Sequence, residues 1–395
     1  MDRRKFIKDS TLASSLFFIP SFVKAFESVA SERLGYKRLV IVQLAGGNDG
    51  LNTIIPYNND IYFNARPRLA ITKGIIKLSD DLGFHPSLAP LQSLFDNGEL
   101  SIINNVGYPN PVRSHFRSMD IWQTASDSDE YLQSGWLGRY LDKHGKKPYN
   151  AIEMDEQLSL AMKGERFNGI ATNDYKVLYK TAKDPFFKSV LTHYNDAHLS
   201  EHNLGYLYQT MIEAKSSAKY IYETTQIKAS QQDYPQNKFA KQLKNVAQFI
   251  SSDIDTKVFY TSLNGFDTHA NQQNTQTRLL KQYAESVSAF VKDLKHNQKF
   301  EDTLILTFSE FGRRVKQNAA NGTDHGAANN VFVIGKNLRK PGFYNDLVSL
   351  SNLDSNGDLK YEIDFRTIYA TILSHWLKAD DTIILNNNFE KLNFI

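Results

Sequence analysis

The chain has 395 residues, a formal net charge of +3 and no cysteine. Without cysteine it can form no disulfide and no thiolate, so any metal must rest on oxygen and nitrogen ligands. Its first 25 residues hold five basic and two acidic residues, five minus two or +3, so the remainder is close to neutral. That balance lacks the basic surplus of nucleic-acid-binding proteins, and no nucleic-acid partner is expected.

The N-terminal segment has the order of an export signal. Adjacent Arg3 and Arg4 precede a modestly apolar stretch at residues 12–22 and a small-residue cleavage pattern at residues 23–25. Such an order is typical of export signals, and the paired arginines indicate the bacterial twin-arginine route. The alternative is an amphipathic N-terminal helix of the folded protein. The apolar stretch is too short to cross a membrane, which takes roughly 20 residues.

This segment leads to expectations about location and domain organisation. We predict that residues 1–25 are a twin-arginine export signal read by the twin-arginine export machinery. The mature protein is then expected in the periplasm or secreted, with no integral membrane span. By length, the remaining residues could form one large domain or two smaller ones, because the usual domain size of about 100 to 200 residues is only a guide. We expect residues 26–395 to form a single domain.

Five apolar runs predict the strands of a buried sheet. They lie at residues 39–44, 100–106, 257–263, 303–308 and 330–334. Helices are predicted at residues 81–95, from Ser114 through Trp122, at 276–296 and at 364–377. Strands that are apolar throughout are typical of parallel sheets, whose faces helices cover. The alternation predicts an α/β fold with a mostly parallel central sheet flanked by helices.

The middle of the chain has a different character, from about residue 127 to 248. Stretches such as residues 184–194 and 204–225 show helical spacing, with many tyrosines and lysines and few strand signals. We predict that this region is a helical insertion in the α/β domain.

Glycine, acidic residues and histidine coincide in four short clusters, three of which directly follow a predicted strand. In an open parallel sheet the carboxyl ends of the strands share one edge, where ligands bind. The candidate metal ligands in these clusters are Asp49, Asp267, His269, Glu310, Asp324 and His325. Carboxylate oxygens combined with imidazole nitrogens predict a divalent metal, zinc or manganese more than magnesium or calcium.

Each cluster also has a plain structural interpretation. Asp49 lies in an Asn-Asp-Gly sequence that can be a simple turn. Asp267 can cap a helix beside an unrelated surface histidine. Glu310 can form an ion pair with Arg313 or Arg314, because a carboxylate that ends an apolar strand is costly unless it is paired. The fourth cluster, between two glycines, can be a turn as well.

Two candidate catalytic residues, Arg113 and Ser114, follow the second predicted strand. Pro109 and Pro111 hold their loop extended, and a helix begins near Ser114. Serine at a helix N-terminus is first of all a helix cap. The same geometry would place an oxyanion on backbone amides beside the bidentate donor Arg113. A hydroxyl made nucleophilic by an adjacent metal could use that pocket.

Five motifs together resemble a known family. They are Gln43-Leu44-Ala45-Gly46-Gly47-Asn48-Asp49-Gly50-Leu51-Asn52, Arg113-Ser114-His115-Phe116, Gly265-Phe266-Asp267-Thr268-His269, Ser309-Glu310-Phe311-Gly312-Arg313 and Gly322-Thr323-Asp324-His325-Gly326. With the twin-arginine start, they resemble the bacterial family catalogued as domain of unknown function 1501, over nearly all of the mature chain. That family is similar to the alkaline phosphatase and sulfatase superfamily, which implies an alkaline-phosphatase-like fold.

The resemblance also implies roles for individual residues. Members of the superfamily carry an acid after the first strand, a nucleophile at a helix start after the second, and Asp and His ligands after later strands. The matching positions here are Asp49, Ser114, Asp267, His269, Glu310 and His325. Phe311 stands where the superfamily usually has a histidine, so one imidazole of a two-metal site is missing. Asp267 and His269 are also closer together than the superfamily's usual pair.

The function that follows is an exported metal-dependent hydrolase of a phosphate ester, on a small molecule or a polymer. Ser114 is the expected nucleophile and Arg113 the residue that holds non-bridging oxygens. A sulfate ester is less expected, because the residues around Ser114 do not look like the processed motif of sulfatases. The alternative is a non-catalytic exported metal-binding or envelope-assembly protein on the same fold.

Overall fold

A nine-stranded mixed sheet forms the framework of the fold. The computed structural model describes residues 36–185, 203–225, 230 and 232–395. Within it, residues Arg38–Ile395 form one compact unit. The predicted export signal at residues 1–25 and most of the predicted helix at 184–194 lie outside the described residues.

The strands belong to this central sheet and to a small second one. They are β1 Arg38–Ala45, β2 Ile54–Pro56, β3 Ile76–Lys77, β4 Leu82–Phe84, β5 Leu100–Gly107, β6 Ala151–Glu153, β7 Ile170–Ala171, β8 Val258–Asn264, β9 Thr303–Phe308, β10 Asn329–Ile334, β11 Gly342–Phe343 and β12 Ile363–Asp364. The central order is β11-β5-β10-β9-β1-β8-β6-β7, with β12 also paired to β5, and the second sheet is β2-β4-β3. The five predicted strands are all present, as β1, β5, β8, β9 and β10.

Strand directions bring most carboxyl ends to one edge. Strand β1 is parallel to both neighbours, β8 and β9, and β6 and β7 continue the parallel series beyond β8. Strand β10 is antiparallel to both β9 and β5, so β5 runs in the same direction as β1. The carboxyl ends of β1, β5, β8 and β9 and the amino end of β10 therefore share an edge. The predicted α/β fold with a mostly parallel central sheet is confirmed.

Helices cover both faces of this sheet. Those of the described residues are α1 Asp60–Ala65, α2 Gln92–Asp96, α3 His115–Thr124, α4 Trp136–His144, α5 Tyr175–Ala182, α6 Asn203–Thr225, α7 Lys238–Ser251, α8 Gln272–His296, α9 Phe365–Thr371 and α10 Asp381–Leu385. Alternate side chains of β1 enter two apolar clusters. Val40 and Val42 pack in the cluster that includes α7 and α8, whereas Leu39 and Ile41 pack in the one that includes α3, α4 and α9. Burial on both faces explains why β1 is apolar throughout.

The prediction of one helix over residues 81–95 is wrong. Leu82–Phe84 form β4, Pro86–Leu91 form a 3-10 helix, and only α2 is α-helical. Gly83 lies so close to β3 that an added Cβ would be 2.7 Å from the carbonyl oxygen of Ile76. The prolines of the 3-10 helix also lack the N–H donors that an α-helix requires.

The middle of the chain is largely helical but also contributes to the sheet. Strands β6 and β7 extend the central sheet beyond β8, within the region predicted as a helical insertion. They contain three and two residues, too few to show a strand pattern in sequence. This region is therefore partly built into the α/β framework.

Two other predicted helices are present with different bounds. Helix α8 begins at Gln272, four residues before the predicted start. Helix α9 ends at Thr371 and continues as a π-helix over Ile372–Trp376. Among the described residues, none of the helices combines the length and apolarity that crossing a bilayer takes.

Candidate metal centre

The shared edge of the sheet gathers five loops. Gly46 follows β1, the segment from Arg113 to His115 follows β5, Asp267 follows β8, and Glu310 follows β9. The loop with His325 precedes β10, which runs in the opposite direction and so starts at this edge. Residues far apart in sequence therefore meet here, as expected for an α/β sheet.

Three imidazoles surround the carboxylate of Asp267. His115 Nε2 lies 3.4 Å from Oδ2, while His269 Nε2 and His325 Nε2 lie 3.1 Å and 3.3 Å from Oδ1. Possible ligand atoms of His115, Asp267 and His325 all lie within 4.8 Å of one another. His269 Nε2 adds a nitrogen 2.9 Å from His325 Nε2. This group can hold a metal ion.

Each imidazole is oriented through its other nitrogen. His115 Nδ1 lies 2.9 Å from Glu310 Oε1, and His269 Nδ1 lies 3.3 Å from Asp324 Oδ1. His325 Nδ1 lies 2.7 Å from the carbonyl oxygen of Arg113. Since each partner is an oxygen that accepts, each Nδ1 is the donor and carries a proton. Oxygen partners of this kind orient metal-binding histidines and leave Nε2 free to ligate.

The close approach of these nitrogens indicates that a proton or a metal ion lies between them. With protons on Nδ1, the Nε2 lone pairs of the three histidines point toward Asp267, and those of His269 and His325 toward each other. Lone pairs at about 3 Å repel unless a proton or metal lies between them. Buried His115 Nε2 has no hydrogen-bond partner within the described part of the chain. Imidazole nitrogens and a carboxylate oxygen are ligand types that divalent metal ions accept.

Electrostatics keeps Asp267 ionised. Partial burial raises its pKa, but the hydrogen bond and the charge of Arg313, together with the nearby imidazoles of His325 and His115, outweigh this effect and lower the pKa to about 2. The hydrogen bond to Glu310 raises the pKa of His115, whereas burial lowers the pKa of His325. A hydrogen bond from Asn318 lowers the pKa of Asp324. The centre is thus built from ionised carboxylates and imidazoles whose environments differ.

Arg313 joins three of the loops and is fully buried. Its guanidinium donates to the carbonyl oxygens of Gly46 and Gly47 after β1, of Phe266 after β8, and of Thr323 before β10. It also donates to Asp267 Oδ1 at 2.8 Å. Arg313 therefore fixes the position of the central carboxylate. The alternative interpretation of Glu310, an ion pair with Arg313 or Arg314, is not observed, since its carboxylate contacts His115 instead.

Glu310 is buried and acts behind a histidine. Besides His115, its Oε1 accepts from the backbone N–H of Gly46 at 2.8 Å, and its Oε2 accepts from Ser309 Oγ at 3.3 Å. The ring of Phe311 lies 4.8 Å from that of His115 and 4.6 Å from that of His325. Glu310 is therefore placed to orient a ligand, and Phe311 supplies an apolar wall.

Asp49 is not brought into this group. It is fully buried and its Oδ2 lies 2.6 Å from Arg66 Nη1, in an ion pair whose guanidinium is fully buried as well. The same oxygen accepts from Gln272 of α8. The structure thus uses Asp49 to anchor the loop after β1, while Asp267, His269, Asp324 and His325 lie together and Glu310 joins them through His115.

The candidate catalytic pair lies at the start of α3. Ser114 occupies the N-cap position, but its side chain makes no cap hydrogen bond and is exposed. The residues on both sides of it contact the centre, His115 directly and Arg113 through its carbonyl oxygen. The Arg113 guanidinium forms an ion pair with buried Asp358, which also lies 3.4 Å from Arg314.

His115 and Arg313 are the residues whose roles the sequence did not predict. Both lie inside motifs that carry the family resemblance, so position alone marked them. His115 adjoins the expected nucleophile, but the sequence predicts no role for it. For Arg313 the sequence offers only the alternative of an ion pair with Glu310. The signal that could identify His115 is its position directly after a predicted helix start, at the edge of the sheet where the candidate ligands are expected.

Comparisons with solved structures give distant likenesses. The chain is similar to the C-terminal periplasmic domain of EcEptC from Escherichia coli, with 12% identity, a TM-score of 0.37, and coverage of 90% of this chain and 88% of that one. It is similar to the PsFucS1 sulfatase from Pseudoalteromonas sp. with 11% identity, a TM-score of 0.39, and coverage of 94% and 73%.

A protein in the alkaline phosphatase superfamily from Vibrio parahaemolyticus has 10% identity and a TM-score of 0.35, with 78% of this chain and 62% of that chain covered. These identities and TM-scores are low, so the chemistry of the centre follows from the residues of this chain. No curated protein matches the sequence. A family profile matches residues 36–384, and the chain therefore belongs to the family described as "Protein of unknown function (DUF1501)".

Proposed function

We propose that the protein is an exported metal-dependent hydrolase that cleaves a phosphate ester, with zinc favoured over manganese. The observation that carries this proposal is the convergence of three imidazole nitrogens on Asp267, each imidazole oriented by an oxygen at Nδ1. His115, Asp267 and His325 would hold the ion, with His269 beside them. A sulfate ester is the less favoured substrate.

Different residues of the chain would carry out the steps of such a reaction. A bound divalent ion supplies Lewis acidity toward the ester and toward a nearby hydroxyl. Ser114 would attack phosphorus, forming a bond from Oγ to phosphorus as the bond to the ester oxygen breaks and the alcohol leaves. Water would then release phosphate from the serine. An exposed hydroxyl without a cap bond, between two residues of the centre, supports this role for Ser114.

Arg113 would hold the non-bridging oxygens of the phosphate. Its ion pair with Asp358 fixes the guanidinium, and Arg314 on the same carboxylate gives the group a net positive charge. Two arginines that share one buried carboxylate retain attraction for an anion. This supports an anionic substrate at the centre.

A non-catalytic metal-binding protein on the same fold is the second candidate. Asp49 is engaged by Arg66 and Phe311 replaces an imidazole, so the described residues supply ligands for one ion rather than two. A single site can serve structure or assembly without turnover.

Metal analysis combined with an ester panel tests the proposal. Purified protein should contain about one zinc or manganese ion per chain and hydrolyse an aryl phosphate or a phosphodiester faster than an aryl sulfate. Asp267→Asn and His115→Ala should lose the ion and lower turnover by at least a hundredfold, because they remove ligands. The exposed His296→Ala is the matched control and should change neither quantity.

The outcomes separate the two candidates. A protein that binds no divalent ion, even when zinc is added, rules out both. An ion that depends on Asp267, without turnover of any ester in the panel, supports the non-catalytic alternative.

A further inference from the structure

A polar cleft with a volume of about 360 Å³ lies beside the metal centre. Its wall includes the last residues of three neighbouring parallel strands, Ala45 of β1, Glu153 of β6 and Asn264 of β8. The cleft thus opens at the same carboxyl edge of the sheet. None of the residues assigned to the metal centre lines this cleft.

Acids and amides line the cleft, and none of its lining residues is basic. The acids are Glu153, Asp155 and Glu156, and the amides include Gln43 and Gln123. Hydrogen-bond donors and acceptors are therefore plentiful while positive charge is lacking. Such a lining favours a ligand that brings its own cation.

Glu153 is the most buried of the three acids, so an uncompensated charge is most costly on its carboxylate. Only 4% of its surface is exposed, its carboxylate accepts from the backbone N–H of Ser159 at 2.7 Å, and it forms no ion pair within the described part of the chain. Burial raises the pKa of Glu153 to about 7, as expected for a carboxyl group without a counter-ion. A buried carboxylate is costly unless it is paired, so a cation in the cleft would gain this partner.

Helix α3 connects the cleft to the metal centre. His115, Met119 and Gln123 are four residues apart, so they lie along one face of the helix at steps of about 6 Å. His115 belongs to the centre, whereas Met119 and Gln123 line the cleft. The loop from Asn264 to Asp267 makes the same connection along the backbone.

We propose that this cleft binds the alcohol portion of the ester and selects an alcohol that carries a primary ammonium group. The inference rests on the proposed function for the location of the reacting phosphate. The ammonium group would donate to Glu153 and to amide oxygens of the wall. Met119 and Leu158 would pack against the carbon chain between nitrogen and phosphate.

Matched esters test this selectivity. The probes are 4-aminobutyl, 4-hydroxybutyl and butyl phosphate for turnover, and the corresponding phosphonates for binding by calorimetry. The ammonium probe should bind at least about tenfold more tightly than the butyl probe, as a charge-assisted hydrogen bond to a buried carboxylate implies. In Glu153→Gln that ratio should fall below about threefold.

Two further variants keep the test decisive. Asp155→Asn removes a second acid of the wall and should lower the ratio even if Glu153→Gln folds poorly. Asp80→Asn, an exposed acid away from the cleft, makes the same charge change and should leave the ratio unaltered. Equal binding of the ammonium and butyl probes, or equal binding of the ammonium and hydroxyl probes, would overturn the proposal.

Failure of the cleft and failure of the proposed function look different. If all three esters are turned over without a preference for the ammonium group, only the proposed selectivity of the cleft is overturned. An ammonium preference in phosphonate binding, without turnover of any ester, overturns the hydrolase and leaves the cleft as a binding site.

Discussion

Arg313 sets much of the geometry of the centre at the scale of a single residue. It is fully buried, and its donors reach backbone carbonyls in three loops as well as the carboxylate of Asp267. A guanidinium can satisfy this many acceptors because its five N–H groups are held in one plane. A lysine could supply the charge but not the arrangement.

Ser114→Ala distinguishes a nucleophile from a helix cap. Because the Ser114 side chain makes no cap hydrogen bond, the free energy of unfolding should change by less than about 0.5 kcal/mol. Asn237→Ala is the positive control, since Asn237 accepts from the N–H of Ala240 and its loss should cost about 1 kcal/mol. Turnover by Ser114→Ala should fall by orders of magnitude with metal content retained. Wild-type turnover would exclude Ser114 as the nucleophile.

Glu153 should make stability depend on pH. Its pKa in the folded state is raised from 4.5 to about 7, so the folded state binds more protons than the unfolded state between these values. Its contribution to stability is therefore present at low pH and lost as the pH rises through about 7, by up to about 3 kcal/mol. We therefore expect the free energy of unfolding of Glu153→Gln, relative to that of wild type, to be higher at pH 8 than at pH 5. Denaturant titrations at the two pH values measure this difference.

The matched control for that comparison is Glu156→Gln. Glu156 is an exposed acid of the same cleft, so its substitution should give nearly the same difference from wild type at both pH values. If Glu153→Gln also differs from wild type by the same free energy of unfolding at pH 5 and pH 8, burial does not raise the pKa of the Glu153 carboxyl.

At the scale of elements, the turn after β1 positions the centre. Gly46 has φ +116°, its N–H donates to Glu310 and its carbonyl accepts from Arg313. An ideal Cβ at this position would lie 2.5 Å from the backbone nitrogen of Asp267. Only glycine therefore lets the loops after β1 and β8 approach this closely.

Gly46→Ala should accordingly damage both stability and metal binding. We expect a loss of roughly 2 to 4 kcal/mol in the free energy of unfolding, from backbone strain plus the clash, and weaker metal binding. Gly357→Ala is the matched control, since Gly357 has φ +80° and an added Cβ would meet nothing within 4 Å. It should show the strain alone, about 1 to 2 kcal/mol, with unchanged metal content. Equal effects of the two substitutions would contradict the close-approach argument.

At the scale of the whole molecule, the direction of the strands decides which residues can act together. The carboxyl ends of β1, β5, β8 and β9 and the amino end of β10 lie at the edge where the histidines and acids lie. The small strands β6 and β7 widen that edge and supply Glu153 to the cleft. A region that looks like an insertion in sequence thus forms part of the wall beside the centre.

The predicted twin-arginine export concerns the whole molecule as well, because it depends on an N-terminal segment that precedes the described fold. A fusion of residues 1–30 to a reporter should be exported only while Arg3 and Arg4 are intact. The double substitution Arg3→Lys and Arg4→Lys should abolish export, measured as reporter activity in the periplasmic fraction. Unchanged export of that variant would exclude the twin-arginine route.

Apolar patterning alone predicts the main strands and the loops that carry the candidate metal ligands. Apolar runs such as Thr303–Phe308 are a local property, and parallel strands place whatever follows them at a shared edge. Asp267, His269 and His325 were therefore predictable as neighbours. Short or proline-containing segments such as β6 and Pro86–Leu91 were not, because their conformation depends on the elements that pack against them.

The partner of each charged side chain depends instead on tertiary packing. Asp49 pairs with Arg66, 17 residues away, and so lies outside the centre. His115 pairs with Glu310, 195 residues away, and so becomes part of it. A carboxylate at a strand end must be compensated, but whether a guanidinium or an imidazole does so depends on which loops meet. That choice follows from the packing of the whole sheet rather than from any local sequence pattern.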